Sequence, residues 1–191
     1  MIKLAVFASG NGSNAERIIQ YFKKHSGLQI SEIFTNNPHA YVIERAKTFG
    51  VECFIFNKED LYQTNKVYNR LIELDISHII LAGFLWLIPE NIIDAFPAKI
   101  INIHPALLPK YGGKGMYGMH VHQAVIEHNE TESGISIHYV NKHYDEGDII
   151  FQAKCTIEPN ETAQSLAAKI HQLEYDNFPV VIEQIINLNG F

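Results

Sequence analysis

The run Leu4-Ala5-Val6-Phe7-Ala8, then Ser9-Gly10-Asn11-Gly12-Ser13-Asn14, then Ala15-Glu16-Arg17-Ile18-Ile19-Gln20-Tyr21-Phe22, decides the fold class. Its first five residues are a short continuous apolar stretch, the pattern of a strand buried on both faces. Its last eight carry apolar side chains at helical spacing. Between them, two glycines let backbone N–H groups approach an anion at the positive end of the helix. The segment matches G-x-G-x-x-A, with Ala15 as the third small residue. A dinucleotide fold also wants an acid at the end of its second strand to hold a ribose. Here the second apolar run, residues 30–34, ends in Thr35-Asn36-Asn37-Pro38. The loop is therefore read as a seat for a single phosphate rather than for NAD, the bland alternative being a glycine-rich turn with no ligand.

Outward from this unit the same alternation continues. Residues 40–49 read as a helix stopped by Gly50, 51–56 as a strand, and 58–74 as one amphipathic helix with Leu61, Val67, Leu71 and Leu74 inward. Residues 78–82 and 100–103 are further apolar strands. Repeated strand–helix units of this length predict a parallel sheet wrapped by helices, with ligands at the carboxyl ends of the strands. With 191 residues and 47% hydrophobic content, one domain is expected over 1–191, with a phosphate-binding strand–helix half (1–100) and a second half (101–191). A formal charge of −6 with 15 scattered basic residues excludes a nucleic-acid groove. Cys53 and Cys155 lie far apart with no CxxC, so reduced, packed thiols are expected. The N-terminal apolar run is too short for a signal peptide and no later run reaches a membrane span, so a soluble cytoplasmic protein is expected.

Residues 101–109, Ile-Asn-Ile-His-Pro-Ala-Leu-Leu-Pro, carry the first chemistry. In an extended segment i and i+2 share a face, so Asn102 and His104 aim together where a strand runs out into a loop. An amide donor beside an imidazole suits a reaction that develops an oxyanion and moves a proton. The bland alternative is a histidine bracing a turn. After Lys110 the chain holds four glycines over 112–118, a mobile loop beside the site. His120-Val121-His122, with His128, His138 and His143, invites a metal reading, but i and i+2 diverge on a helix and no acid or cysteine falls at a ligand spacing. Residues 134–140 alternate, with Ile135, Ile137 and Tyr139 on one face and Ser136 and His138 on the other; with 148–153 they predict a hairpin-like antiparallel addition. Asp145 sits in the intervening turn, where a solvated aspartate is the ordinary outcome. Asn160 or Thr162 caps a long helix with Ala163, Leu166, Ala167, Ile170 and Leu173 inward, and Pro179 bends or restarts it. The apolar segment Leu85-Trp86-Leu87-Ile88 reads as core or as the wall of a flat ligand's pocket.

These motifs together resemble the phosphoribosylglycinamide formyltransferase family, almost end to end. The resemblance runs through Ser9-Gly-Asn-Gly-Ser-Asn14, Leu81-Ala-Gly-Phe84, Asn102-Ile-His-Pro105 with Leu107-Leu-Pro109, Ser136-Ile-His138 and Asp145-x-Gly147. The Asn-x-His…Leu-Leu-Pro signature is shared with folate-dependent formyltransferases acting on tRNA or sugars; the glycine-serine-asparagine loop points to the ribonucleotide enzymes. The resemblance implies a Rossmann-like α/β formyltransferase fold, mostly parallel, with helices on both faces and an antiparallel C-terminal addition. It implies Asn102, His104 and Asp145 as the catalytic set, with Asn102 stabilising an oxyanion, His104 as general acid and Asp145 raising the His104 pKa. Gly12, Ser13 and Asn14 would hold the ribonucleotide phosphate, and Glu174 would meet the glycinamide amine. Leu85, Trp86, Leu87 and Ile88, with Asn102, would line the folate pocket, and residues 101–191 would form the catalytic and folate-binding half. The implied partners are glycinamide ribonucleotide and 10-formyltetrahydrofolate as formyl donor, with no metal, no nucleic acid and no membrane, in a monomer or homodimer.

The chain departs from that pattern in places. Ala106 stands where the family commonly has Ser, Trp86 where it often has Arg, and Glu146 where it often has Gly. A basic residue that touches the folate tail in relatives has its candidates in Asn65 and Lys66. The loop over 112–118 is longer than usual, which leaves open whether His120 or His122 matches a family histidine. Two other functions are weighed: formyl transfer to another amine such as an amino-sugar nucleotide, whose enzymes usually carry more chain after the core, and a non-catalytic nucleotide-binding domain.

Overall fold

The computed structural model describes residues 1–24 and 27–188, with the side chain of residue 188 left aside; residues 25–26 and 189–191 of the expected 1–191 domain lie outside it. In chain order the elements are β1 (Ile2–Phe7), α1 (Ser13–Phe22), β2 (Leu28–Thr35), α2 (Val42–Thr48), β3 (Glu52–Ile55), α3 (Lys58–Tyr62), α4 (Lys66–Glu73), β4 (His78–Leu81), α5 (Glu90–Ala95), β5 (Ile100–His104), α6 (Met119–Glu127), β6 (Glu132–Tyr139), β7 (Ile149–Thr156) and α7 (Ala163–Leu188). The strands follow the order β3-β2-β1-β4-β5-β6-β7 in one sheet. β1 pairs in parallel with β2 and β4, and β2 with β3, whereas β6 and β7 run antiparallel. This is the expected mostly parallel α/β sheet, flanked by helices and closed by an antiparallel pair. The chain divides into two compact units, Met1–Ile101 and a second from Asn102 onward.

In the first unit the core grows from β1, where Leu4, Ala5, Val6 and Phe7 are wholly buried. Phe7 stacks on Phe34 at 4.7 Å and 8° and meets Phe84 edge-on at 5.3 Å, so the ends of β1 and β2 and the residues after β4 share one aromatic layer. One polar side chain enters this core with its charge neutralised: Glu32 accepts two hydrogen bonds of 2.9 Å from the Arg70 guanidinium, a bidentate pair that satisfies both oxygens. The expected single helix over 58–74 is two helices. Asn57 caps α3 in a reciprocal box with Asp60, α3 ends at Tyr62, and Asn65 takes a left-handed φ of 57° before α4 begins. Thr64 and Asn65 offer poor helix propensity and Asn65 a side chain that tolerates that conformation, which together suffice to break a helix with only a turn or two on either side. Leu61, Val67 and Leu71 still face inward; Leu74, at the α4 C-cap, is half-buried.

His78, opening β4, is 5% exposed, and burial pushes its imidazole down to about 4. A histidine depressed in the folded state leaves the unfolded chain binding the proton first. Its contribution to stability is therefore full above about pH 6.5 and lost as pH falls toward 4. The shift corresponds to about 3 kcal/mol. Chemical denaturation of the wild type should show unfolding free energy falling across this window, and His78→Leu should remove most of that part of the slope. An unchanged slope in the variant would place the acid sensitivity elsewhere.

In the second unit β6 is buried throughout from Ser133 to His138. Alternation assigned Ser136 and His138 to the face away from Ile135 and Ile137, and they do lie there; that face is also interior, at 0% and 2% exposure. Ser136 Oγ donates to the Ala106 carbonyl at 2.7 Å and accepts from Leu108 N–H at 2.9 Å and Gln152 Nε2 at 2.8 Å. These bonds tie the segment after β5 to the hairpin. Thr162, not Asn160, caps α7, its Oγ1 accepting from Ser165 N–H at 3.1 Å. Pro179 lies inside α7, which neither stops nor restarts there. Leu166, Ala167 and Ile170 face the core as expected, but Leu173 is half-buried and the next inward position is taken by Glu174.

Candidate active site

β5 ends on Asn102 and His104, and the turn between β6 and β7 brings Asp145 to them. That turn is closed tightly: a Cβ on Gly147 would lie 1.7 Å from the Tyr139 carbonyl oxygen, so only glycine lets the two strands approach there. Asp145 itself adopts a left-handed φ of 57°, a conformation aspartate tolerates better than most residues. Its carboxylate is 12% exposed and engaged on both oxygens. Oδ2 accepts from Gly113 N–H at 2.9 Å and lies 3.4 Å from His104 Nδ1; Oδ1 lies 3.4 Å from Asn102 Nδ2 and 3.6 Å from His138 Nε2. Asp145 is therefore not the solvated turn residue that its position in the sequence allows.

Hydrogen-bond logic fixes the rest. His138 Nδ1 lies 2.8 Å from the Tyr139 carbonyl, which can only accept, so Nδ1 carries the proton and Nε2 is left as an acceptor. Asn102 Nδ2 donates to that Nε2 at 3.0 Å. The amide is thereby oriented, with one N–H held firmly by His138 and the other held only by the long contact to Asp145. His104 Nε2 donates to the Tyr111 carbonyl at 2.7 Å, so both ring nitrogens of His104 face acceptors.

The electrostatics correct one expectation. Burial pushes the His104 imidazole below its ordinary value; Asp145 and the Tyr111 carbonyl pull it back up without prevailing, and His138 opposes them. Asp145 thus acts on His104 in the expected direction but does not lift the net pKa, because a ring 3% exposed loses more hydration than one carboxylate restores. Burial also pushes Asp145 up, but the imidazoles of His138 and His104 beside it and the Gly113 N–H together hold its carboxyl below the usual range.

Glu174 lies in the same unit, 5% exposed, with His171 Nδ1 3.0 Å from its Oε2; the bond raises the His171 pKa, and the Glu174 charge contributes to the titration of both His104 and His122. Of the two α6 histidines, His120 is exposed and His122 buried with an unpartnered Nδ1. Sequence reasoning named Asn102, His104 and Asp145 from residue type and resemblance. It passed over His138 as the residue that orients the Asn102 amide, although its shared face with Ser136 was visible, and it had no means to find the Tyr111 carbonyl or the Gly113 N–H, which are backbone groups.

The first unit holds the other implied residues. Gly12 caps α1 at φ 75° with no side-chain cap, and Ser13 and Asn14 form the first turn. The loop is held from α2: Val42 N–H donates to the Gly10 carbonyl at 3.2 Å, and Arg45 donates to the Asn11 carbonyl and to Asn11 Oδ1, both at 2.9 Å, while also pairing with Glu16. Arg45 was not singled out from sequence, since nothing in its spacing ties it to residue 11. A Cβ on Gly12 would sit 2.4 Å from Val42 Cγ2 and 2.9 Å from its Cα. Overpacking and the left-handed backbone together should make Gly12→Ala cost about 2–4 kcal/mol, read as a lowered midpoint in denaturant unfolding; an unchanged midpoint would mean the loop relaxes freely. In the 85–88 segment Ile88 is buried, Leu85 is 46% exposed, and Trp86 and Leu87 are half-buried, so it is partly core and partly open wall. Among the described residues no helix is long and apolar enough to cross a membrane.

Comparison with known proteins identifies the family. Residues 2–182 match the family model described as formyl transferase. The phosphoribosylglycinamide formyltransferase of Bacillus subtilis (strain 168) is 37% identical over 197 residues, covering 100% of this chain and 97% of that protein. The chloroplastic phosphoribosylglycinamide formyltransferases of Arabidopsis thaliana and Vigna unguiculata are 36% and 39% identical over 96% of this chain, which spans 65% and 60% of their lengths. Among solved structures, phosphoribosylglycinamide formyltransferase from Bacillus halodurans superposes with a TM-score of 0.88 at 31% identity, covering 98% of this chain and 97% of that one. The chain therefore belongs to the formyl transferase family, within its phosphoribosylglycinamide formyltransferase branch.

Proposed function

We propose that this chain transfers a formyl group from 10-formyltetrahydrofolate to the amine of glycinamide ribonucleotide, giving formylglycinamide ribonucleotide and tetrahydrofolate in purine biosynthesis. The observation that carries the reading is the Asn102–His138–Asp145–His104 cluster, in a chain of this family. The amine attacks the formyl carbon and the carbonyl becomes an oxyanion. The loosely held N–H of Asn102 turns to that oxygen, its other N–H staying on His138. Collapse of the intermediate breaks the bond from carbon to the folate N10, and the proton lost by the amine ends on N10.

His104 suits the proton transfer. Burial favours its neutral form, yet its two neighbours are acceptors, so it takes a proton and holds it as imidazolium between the Tyr111 carbonyl and Asp145. Delivering that proton asks the Tyr111 carbonyl to release Nε2. The second half of the domain thus supplies the chemistry, and Glu174 meets the glycinamide amine. The first half supplies binding: Gly12, Ser13 and Asn14 turn the α1 N-terminus to the phosphate, and Leu85, Trp86, Leu87 and Ile88 form wall for the folate.

A spectroscopic folate assay with 10-formyltetrahydrofolate, with and without glycinamide ribonucleotide, tests the reading. Turnover that requires the ribonucleotide is expected. Turnover only with another amine, such as an amino-sugar nucleotide, would keep the chemistry and discard the substrate, and ribonucleotide binding without turnover at any folate concentration would leave a binding domain. The pH dependence supplies a sharper test. Asp145 stabilises the charged form of His104, so Asp145→Asn lowers the His104 pKa further, and the limb of the kcat/KM profile that His104 sets should move to lower pH. A limb that stays in place or moves up would remove Asp145 from that role.

A further inference from the structure

The backbone of residues 111–113 touches both partners of the proton transfer. The Tyr111 carbonyl accepts from His104 Nε2 at 2.7 Å, and Gly113 N–H donates to Asp145 Oδ2 at 2.9 Å. The segment's own residues offer little restraint, because Gly112 and Gly113 follow Tyr111 and glycines recur at 115 and 118. Its anchor is a side chain. Tyr111 takes a left-handed φ of 57°, which costs a bulky residue energy and persists only where the surroundings hold it. Its hydroxyl donates to Glu130 Oε1 at 2.9 Å and lies 3.1 Å from His128 Nδ1, and its ring leans on the His128 imidazole at 5.7 Å and 35°. Both partners come from beyond α6: His128 is its C-cap, and Glu130 stands in the connection to β6. Lys110 Nζ adds an ion pair to Glu130 at 2.9 Å, but the lysine side chain is 67% exposed, so the bond from phenol to carboxylate carries the anchoring.

We propose that Tyr111 and Glu130 are positioning residues for the formyl transfer: the phenol, held on the Glu130 carboxylate, fixes the 111–113 backbone and through it the orientation of the His104 imidazole and the Asp145 carboxylate. The inference rests on the proton-carrying role given above to His104. The anchor is at the side chain and the release at the carbonyl, so the carbonyl can leave Nε2 for the transfer and return to it while the strap stays fixed at one end. The charge on His104 follows from the same contact. The titratable groups that act on this ring are Asp145 from the β6–β7 turn, His138 from β6, Glu174 from α7 and His122 from α6, and the Tyr111 carbonyl acts beside them. That carbonyl favours the charged ring, so loosening it lowers the His104 pKa.

Tyr111→Phe in the whole protein tests this, because it deletes the hydroxyl and keeps the ring. It is expected to lower kcat about tenfold, with KM for both substrates within about threefold of wild type, and to move the kcat/KM limb set by His104 to lower pH. Glu130→Ala should do the same, and serves if Tyr111→Phe does not fold; the double variant should be no worse than either single one. Lys110→Ala, which removes the exposed ion pair and leaves the phenol bond, should keep kcat within about twofold of wild type. A readout independent of turnover is the downfield proton NMR signal of the His104 Nε2–H, identified by its loss in His104→Ala. It should be present in the wild type and shifted or exchange-broadened in Tyr111→Phe. A pH limb and ring signal that stay as in the wild type whatever happens to kcat, additive losses in the double variant, a Lys110→Ala defect as large as that of Glu130→Ala, or a Tyr111→Phe that turns over faster than wild type would each overturn the positioning role and leave the transfer reading standing. A wild type that transfers no formyl group overturns the transfer reading and this role with it.

Discussion

His104→Ala is expected to lower turnover by roughly 10²–10⁴-fold while leaving the affinity for glycinamide ribonucleotide within about threefold of wild type. The asymmetry follows from what His104 touches. Its two ring nitrogens face the Tyr111 carbonyl and the Asp145 carboxylate, both protein groups, so removing the ring deletes a proton carrier without deleting a contact that holds the phosphate or ribose. The ring is also 3% exposed, so the alanine variant leaves a cavity, and a stability loss of about 1–3 kcal/mol accompanies the kinetic one. Steady-state kinetics and calorimetry on the same preparation separate the two. A large loss of ribonucleotide affinity with turnover preserved would reverse the assignment, making His104 a binding residue.

Asn102→Ala is expected to lower kcat by about 10²–10³-fold, the usual worth of one oxyanion donor, and to change KM for the folate much less. Its amide is oriented by His138 at 3.0 Å, and a second consequence follows from that bond. His138→Leu, which cannot accept a hydrogen bond, should reproduce part of the Asn102→Ala defect by freeing the amide to rotate, and the double variant should be no worse than Asn102→Ala alone. Additive losses in a double-mutant cycle would show that His138 acts on the reaction separately from Asn102. An Asn102→Ala variant with turnover within threefold of wild type would mean that another group stabilises the oxyanion.

Most of the architecture was legible from local pattern. Continuous apolar runs followed by glycine marked β1 and β4, and a further apolar run marked β5, because a strand buried on both faces is predominantly apolar. Helical periodicity placed Leu61, Val67 and Leu71 inward even though the chain breaks between α3 and α4. That break was missed because periodicity carries across three residues whose own propensities speak against a helix only weakly. Glu174, not Leu173, takes the inward position of α7, and a buried carboxylate is something no apolar pattern can announce.

For the site, residue type and spacing in the sequence determined Asn102 and His104 as a pair, since i and i+2 on a strand end must share a face, and set two glycines ahead of α1, where we propose that the phosphate binds. The tertiary structure alone decided three further things. It brought Asp145, distant in sequence, to within 3.4 Å of His104, turning an ordinary turn aspartate into a half-buried carboxylate with partners on both oxygens. It set the sign of the His104 shift, because desolvation depends on how completely the fold encloses the ring and outweighs the single attraction that the sequence suggested. And it recruited Arg45, the Tyr111 carbonyl and the Gly113 N–H, which hold loops and side chains through contacts between segments far apart along the chain or through backbone groups that every residue carries. Local spacing can declare which side chains point together; only the closed fold fixes what surrounds them, and burial and hydrogen bonding to those surroundings set the charge on each group.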